Sequence, residues 1–479
     1  MAWPLFAFGL LASGCALMPA GLGAVLPPET LATSAEAAYL LVVSLGTATP
    51  FQPDAITSTP LPSATLTPSP APTATTVSTS AAETEPPFNP ETNSSSPTPF
   101  PDYSQIGQIN FLLLGSDTRG GVSFRTDTMV IVSVNPAENI VSLISIPRDL
   151  WVFLPGAGYN RINTAYLTGE QIGYPGGGAS HLKETILLNL GVPIDHLVLV
   201  DFEGFVELVD AVGGIDIPLA CPFTEWRLKR PELPIDDPDN WKLVTLYPGL
   251  VHMDGEMSLW YARARLRSND FDRGRRQQEV LRALFSAAVD EGLLLQTAEL
   301  YKRYKNTVES DVNLKTILSL VPLAINLDEA QIRSYYINDD LVSGWITPGG
   351  ASVLLPRGPE IAAMMAQALS PEPLPDEEAI VEVLNWTDNP AWDQLAAARL
   401  HYAGFPTVIG ESTKTNATRT LLFSLSEKPD DELSAELLQA LGLTQSDLRN
   451  DPQLSSPAPY RLVLGSDYDP CFQPADLVN

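Results

Sequence analysis

Three short apolar runs, Asn110–Leu114, Thr128–Val134 and Val141–Ile146, are rich in Val, Ile and Leu and bounded by Gly, Asn, Asp or Pro. Continuous apolar runs of this length between turn residues predict buried strands. His196–Asp201 (HLVLVD) and Ile215–Leu219 predict two more. Leu182, Ile186, Leu187 and Leu190 recur at helical spacing and predict a helix over Ser180–Leu190. Phe202, Phe205, Val206, Leu208, Val209 and Val212 form one broad apolar helix face that stops at Gly213-Gly214. A face that wide is expected to be core, with a slot for a lipid tail as the alternative.

Further along, Cys221 to Trp241 reads as an irregular, Pro-rich insertion. Leu259–Arg265, taken as extended, would turn Arg263 and Arg265 to one face. Asp270 opens a helix that sets Arg273 and Gln277 four apart on one side. Leu293–Leu369 holds two helical stretches and a strand-like Gln331–Ile337. Beyond the Pro-rich Ser370–Pro375, strands at Ile380–Asn385, Thr407–Gly410 and Thr420–Ser424 alternate with helices at Trp392–Ala403 and Glu432–Leu441, as in a compact α/β module.

The ends of the chain are different. Met1–Leu26 carries no charge and is long enough for one membrane span or an export signal. Leu11–Cys15 resembles a lipobox, although a cysteine that merely lies in an apolar span is the preferred reading. Either way the protein is expected to be exported and held at a membrane. Residues 27–103, rich in Pro, Thr, Ser and Ala, offer too little apolar surface to offset their ordering entropy and read as an extended tether. The expected organisation is therefore anchor 1–26, tether 27–103, head domain 104–369 and small C-terminal domain 376–479.

A net charge of −29 argues against nucleic acid as a partner. Four histidines and three cysteines, without CxxC or HxxxH spacing, make a zinc site unlikely chemistry for this chain. Gly173–Gly178 lacks the Lys and Ser/Thr of a P-loop and reads as a surface turn. No Ser-His-Asp or Cys-His set points to acyl transfer.

Charge gathers instead around the first three strands. Asp117 and Arg119 follow the first, Arg125 and Asp127 precede the second, and Arg148 and Asp149 follow the third. Ligands of open α/β sheets sit at strand ends. Between Arg263 and Arg282 arginine outnumbers acid in an otherwise acidic chain. Arginine forks suit phosphate oxygens, and paired carboxylates suit a hard divalent cation. That inventory fits phosphoryl transfer, which asks a protein mainly for positioning and charge neutralisation.

The segments GSDTR, FRTDTM, SIPRDLWVFLP, RINTAY, VDAVGGIDI, LYPGLVHMDGEMSLWYARAR and DRGRRQQ, in this order between about Asn110 and Leu284, resemble the LytR-CpsA-Psr family. The resemblance implies a bacterial, membrane-anchored phosphotransferase. Its head, on the extracytoplasmic side, would have a central mixed β-sheet between helices and a tunnel for a prenyl chain. It implies transfer of a glycopolymer from a polyprenyl-pyrophosphate carrier to peptidoglycan, with teichoic acid, capsule or another wall polysaccharide as donor.

By motif, Asp117 and Asp127 would ligate Mg²⁺ or Mn²⁺. Arg125, Arg148, Arg263 and Arg265 would act on the pyrophosphate, with Asp149 orienting an arginine or assisting the attacking hydroxyl. Arg119, Arg273, Arg276, Gln277 and Asn163 would bind substrate. The region after Pro375, with its VEVLN opening and the AGF before the second strand, is similar to the small C-terminal domain attached to some members. Hydrolysis of the same carrier and non-catalytic wall binding are the alternative functions. Cys221 and Cys471 fall in different expected domains and are expected to stay unpaired, although an exported compartment would permit a bridge.

Overall fold

The computed structural model describes residues 107–116, 126–230, 232–268, 270–304, 308–370, 379–411 and 417–471. The expected anchor and tether lie outside the described residues. Asp117, Arg119 and Arg125 do too, and Asp127 is described in its backbone alone.

In chain order the head comprises β1 (Ile109–Ser116), β2 (Thr126–Asn135), β3 (Ile140–Ser145), β4 (Trp151–Leu154), β5 (Gly158–Arg161), α1 (Ala165–Ile172), α2 (Gly177–Leu190), β6 (His196–Asp201) and α3 (Phe202–Ala211). It continues through β7 (Ile215–Leu219), β8 (Phe223–Leu228), β9 (Trp241–Leu246), β10 (Gly249–Met253), α4 (Gly255–Arg263) and α5 (Asp270–Asp290). Then come α6 (Thr297–Tyr304), β11 (Glu309–Ser310), α7 (Leu314–Asn326), β12 (Ile332–Tyr336), β13 (Val342–Ile346), β14 (Ser352–Pro356) and α8 (Gly358–Ala368). The C-terminal module holds β15 (Val381–Asn385), α9 (Trp392–Tyr402), β16 (Thr407–Ile409), β17 (Leu421–Ser424), α10 (Asp431–Leu441), β18 (Leu448–Asn450) and β19 (Tyr460–Leu464).

The head is an α/β fold around a six-stranded mixed sheet, in the order β11-β6-β1-β2-β3-β12. β1 runs antiparallel to β2 and parallel to β6, and β12 runs parallel to β3. Both faces are covered, which is why the strands read as continuous apolar runs rather than alternating ones. Phe111 and Leu113 of β1 share one core with Leu208 and Val209 of α3 and Val280 and Leu284 of α5. Leu112 and Leu114 point the other way, into a second core with Leu182 and Ile186 of α2 and Ile361 of α8.

Three sequence expectations change. The stretch from Cys221 to Trp241 is not irregular throughout: Phe223–Leu228 pairs antiparallel with Trp241–Leu246 as a hairpin. Leu259–Arg265 is not extended, because Gly255–Arg263 is helical with Asp254 capping its first turn by accepting from Met257 N at 2.7 Å. The extension after the head core carries a β13–β14 hairpin beside its helices.

The C-terminal module has its own core, with Val381, Val383, Leu400, Leu437 and Leu462 around a five-stranded sheet ordered β16-β15-β19-β17-β18. It packs on the head through α9, which meets β7, β10 and β12. The two cysteines expected to stay apart are joined: Cys221 and Cys471 form a disulfide with Cα atoms 4.7 Å apart. Docking of the module brings together positions that sequence distance kept apart. Among the described residues no helix is long and apolar enough to cross a membrane.

Candidate active site

Two cavities adjoin at Gln277, one at the carboxyl ends of β1 and β6 and the other at the carboxyl end of β3. The larger is an apolar slot walled by Leu113 and Val130 of the sheet, Phe205 and Leu208 of α3, and Val280 and Leu284 of α5. The broad α3 face therefore serves core and slot together. Polar groups join the lining at one end, where Gly115, Asp201, Arg263 and Gln277 stand. The smaller cavity is a cleft lined by Met129, Ser145, Arg148, Asp270, Arg273 and Gln277, among others. Gln277 lines both.

Local structure explains how these side chains arrive. β3 ends at Ser145, and the Pro147-Arg148-Asp149 turn places Arg148 beside the first turn of α5. Arg148 Nε lies 3.1 Å from Asp270 Oδ2 and 3.4 Å from Asp149 Oδ2. Asp149 Oδ1 in turn lies 3.2 Å from Arg161 Nε. Arg273, one helical turn past Asp270, brings Nη2 to 3.4 Å from the same Asp270 oxygen. Carboxylates and guanidinium groups thus alternate from Arg161 to Arg273. Each arginine is oriented by a carboxylate before any ligand arrives.

Gln277 Nε2 donates to Thr128 Oγ1 at 2.8 Å, which fastens α5 to the start of β2. Opposite Thr128 stands Gly115, where an added Cβ would lie 3.0 Å from both Thr128 Cβ and Oγ1. A side chain at Gly115 would press on the residue that holds Gln277. Arg263, at the last position of α4, lays its guanidinium 3.8 Å from the Phe202 ring centre on the slot's polar rim. Arg265 is exposed in the loop that follows, and it lines neither cavity.

Two expected substrate contacts sit behind the site. Arg276 is fully buried, and its guanidinium donates to the carbonyls of Tyr261 and Ala264, so it is not open to a ligand. Asn163 is 7% exposed, and its backbone N–H donates to Arg148 O at 3.3 Å. It supports the turn that carries Arg148. Asp270, which links two of the arginines, looks in sequence like a surface ion partner in an ordinary acidic first helical turn. Its spacing from Arg273 was the available signal.

Burial pushes the Tyr336 hydroxyl, beside the cleft, up to about 12. It stays protonated as a donor at neutral pH. Among the described residues no group of three or more His, Cys, Asp and Glu is placed to hold a metal ion. The expected carboxylates, Asp117 and Asp127, fall outside the described side chains. The backbone is informative at Asp127. Ser116 pairs with Thr126 while Gly115 pairs with Thr128, so Asp127 is the extra residue of a β-bulge at the slot's polar end.

The pattern of the LytR_cpsA_psr family matches residues 73–369, well over half of the chain. The chain belongs to this family. The polyisoprenyl-teichoic acid–peptidoglycan teichoic acid transferase TagU of Oceanobacillus iheyensis is 30% identical over 221 residues, covering 46% of this chain and 63% of that protein. The corresponding transferase TagV of Bacillus subtilis is 30% identical over 205 residues, covering 42% of this chain and 48% of its own length. The chain thus spans less than two thirds of each of these relatives. The crystal structure of B. subtilis TagV overlaps with a TM-score of 0.44 at 25% identity, over 55% of this chain and 97% of TagV.

Proposed function

We propose that this member of the family transfers a glycopolymer phosphate from a polyprenyl-pyrophosphate carrier to a peptidoglycan hydroxyl. The observation that carries this reading is the junction at Gln277, where an apolar slot meets an arginine-lined cleft. A molecule that fits both has a long apolar tail and a compact, multiply charged head, and a prenyl pyrophosphate is such a molecule. Its tail gains about 25 cal/mol per Å² of apolar area buried in the slot. TagU and TagV, named as teichoic acid transferases from a polyisoprenyl carrier to peptidoglycan, support the same class of reaction.

In this reading Arg148 and Arg273 bind the pyrophosphate across the cleft, and Arg263 reaches it from the slot's rim. Arg119 and Arg125, which fall between β1 and β2 in sequence, and Arg265, in the loop after α4, would add charge. The acceptor oxygen attacks the phosphorus that carries the glycan. The bridging P–O bond breaks, and polyprenyl phosphate leaves with the bond's electron pair. The arginines hold the charge that builds on that leaving phosphate. Asp149, engaged by both Arg148 and Arg161, orients the guanidinium groups. The hydroxyl proton passes to solvent as the new P–O bond forms.

Mg²⁺ or Mn²⁺ belongs to the same proposal, with Asp117 and Asp127 as its holders. Support comes from the backbone: Asp117 directly follows β1, and Asp127 is the bulge residue at that strand end. The cation would neutralise pyrophosphate charge. Anchoring through residues 1–26 on the extracytoplasmic side is proposed too, and the Cys221–Cys471 disulfide fits an oxidising compartment.

The test is to incubate the full chain with a polyprenyl-pyrophosphate-linked oligosaccharide and peptidoglycan fragments, with and without Mg²⁺. Mass spectrometry should detect a phosphodiester-linked glycan and released polyprenyl phosphate, both lost in Arg148→Ala. Released lipid phosphate without linked glycan would show a hydrolase instead. Lipid binding without turnover would show a binding protein.

A further inference from the structure

Arg276 is among the largest fully buried side chains described, and it lies one residue before the glutamine that joins the two cavities. Its Nε donates to Tyr261 O at 2.9 Å, while Nη2 donates to Ala264 O and, at 3.1 Å, to Ser268 Oγ. The rings of Phe223 and Tyr261 flank the guanidinium, with centres 5.0 and 5.8 Å away. Burial, reinforced by neighbouring Arg275, lowers its pKa to about 10, which still leaves a cation at neutral pH. Asp272 and Glu279 lie near enough to favour the charge, but no carboxylate among the described residues is in direct contact with Arg276. A buried cation so placed needs a structural reason, because its desolvation is costly.

The reason lies in how α4 ends. The last carbonyls of a helix have no partner within it, and a left-handed glycine commonly closes the turn. α4 has no such residue: Ala264 leaves the helix at φ −57°, ψ 131°. The buried carbonyls at Tyr261 and Ala264 are taken instead by Arg276, from the neighbouring helix. Gln277 Nε2 adds a longer contact, 3.4 Å, to Ala262 O. The positive guanidinium also opposes the negative end of the α4 dipole. Two arginines flank the capped Ala264 carbonyl: Arg263 lies inside the capped turn, and Arg265 begins the loop that leaves it.

We propose that Arg276 is a positioning residue that caps α4 from α5 and thereby fixes the approach of Arg263 and Arg265 to the pyrophosphate of the donor. The inference rests on the functional reading above for the identity of that ligand. Arg276 itself touches no substrate. Lysine would keep the charge but cannot hold the spread set of carbonyls with one ammonium. Methionine would keep much of the packing and lose the cap.

The experiment measures binding of inorganic pyrophosphate by calorimetry, on the full chain, with melting temperature recorded for every variant. Arg276→Met and Arg276→Lys are compared in the native background and in Arg263→Ala/Arg265→Ala. A positioning role predicts that Arg276→Met weakens pyrophosphate binding by about five- to twentyfold in the native background, with a smaller loss for Arg276→Lys. It predicts no further loss once Arg263 and Arg265 are gone. Should Arg276→Met fail to fold, the same comparison stands on Arg276→Lys. Unchanged affinity in the single variants, or an equal loss in both backgrounds, overturns the inference and leaves the functional reading intact. A native chain that binds no pyrophosphate overturns the functional reading, and the inference falls with it.

Discussion

Arg148 and Asp270, far apart in sequence, meet with Nε 3.1 Å from Oδ2, and the same oxygen also receives Arg273 at 3.4 Å. One carboxylate therefore holds two like-charged guanidinium groups at a spacing they would not keep alone. The arrangement is prepared before a ligand arrives, which is how fixed charges stabilise a transition state without reorganising. Asp270→Ala should remove the carboxylate the two arginines share, with Asp149 still beside Arg148, and lower kcat/KM for transfer by about tenfold, or ~1.4 kcal/mol of transition-state stabilisation. Arg148→Ala should cost more, about 10²–10³-fold. Steady-state transfer assays check both. A native rate in Asp270→Ala would reduce that carboxylate to a surface ion partner.

The slot makes a prediction that separates tail from head. Leu281 lines it from α5 and is only partly buried, so it can be enlarged with little disturbance to the core. Leu281→Trp should fill space that the prenyl tail needs. Affinity for a long-chain prenyl pyrophosphate should fall at least tenfold, since each buried CH₂ contributes about 0.8 kcal/mol. Inorganic pyrophosphate should bind as before. Equal losses for both ligands would mean that the slot is not where the tail goes.

The strands that position these residues were legible in sequence because β1, β2 and β3 are buried on both faces and leave an unbroken apolar signature. The six-residue pattern of α3 was equally readable. The β8–β9 hairpin was hidden by its proline-rich connection, which punctuates the chain as an irregular loop does. At α4 the Asp254 cap was visible in the sequence, and it outweighs the short alternation of Leu259–Arg265. The arginines of α5 exposed the deeper limit. Arg273 and Arg276 look alike in a charge run, yet one lines the cleft and the other is spent on carbonyls. Only the packing of α4 against α5 distinguishes them.

The Cys221–Cys471 disulfide joins positions 250 residues apart and ties the C-terminal module to the β7–β8 junction. Loops of that length lose much conformational freedom in the unfolded chain when closed. Cys471→Ser, or reduction of the native protein, should lower stability by about 2–5 kcal/mol. Thermal melts with and without reductant should show a fall in the native chain and none in Cys471→Ser. An unchanged melt on verified reduction would show that α9 packing alone holds the module.

A polar contact between His401 and Glu329 also joins the module to the head. His401 Nδ1 of α9 lies 3.1 Å from Glu329 Oε2 of the head, and Glu329 Oε1 accepts from Ser286 Oγ. Burial pushes the Glu329 carboxyl up, but His401, Ser286 and the nearby Arg282 outweigh it and hold its pKa below the ordinary 4.5. A carboxyl with a depressed folded-state pKa contributes stability that is fully present above its unfolded value. That contribution is lost as pH falls through the folded value. The difference in melting temperature between the native chain and Glu329→Gln should therefore be largest above pH 4.5 and shrink as the solution is made more acidic. Melts from about pH 6 down to about pH 3 provide the comparison. A difference that stays constant across this range would mean that Glu329 acts through shape or neutral hydrogen bonding, and a stabilising role for its ionised carboxylate would be wrong.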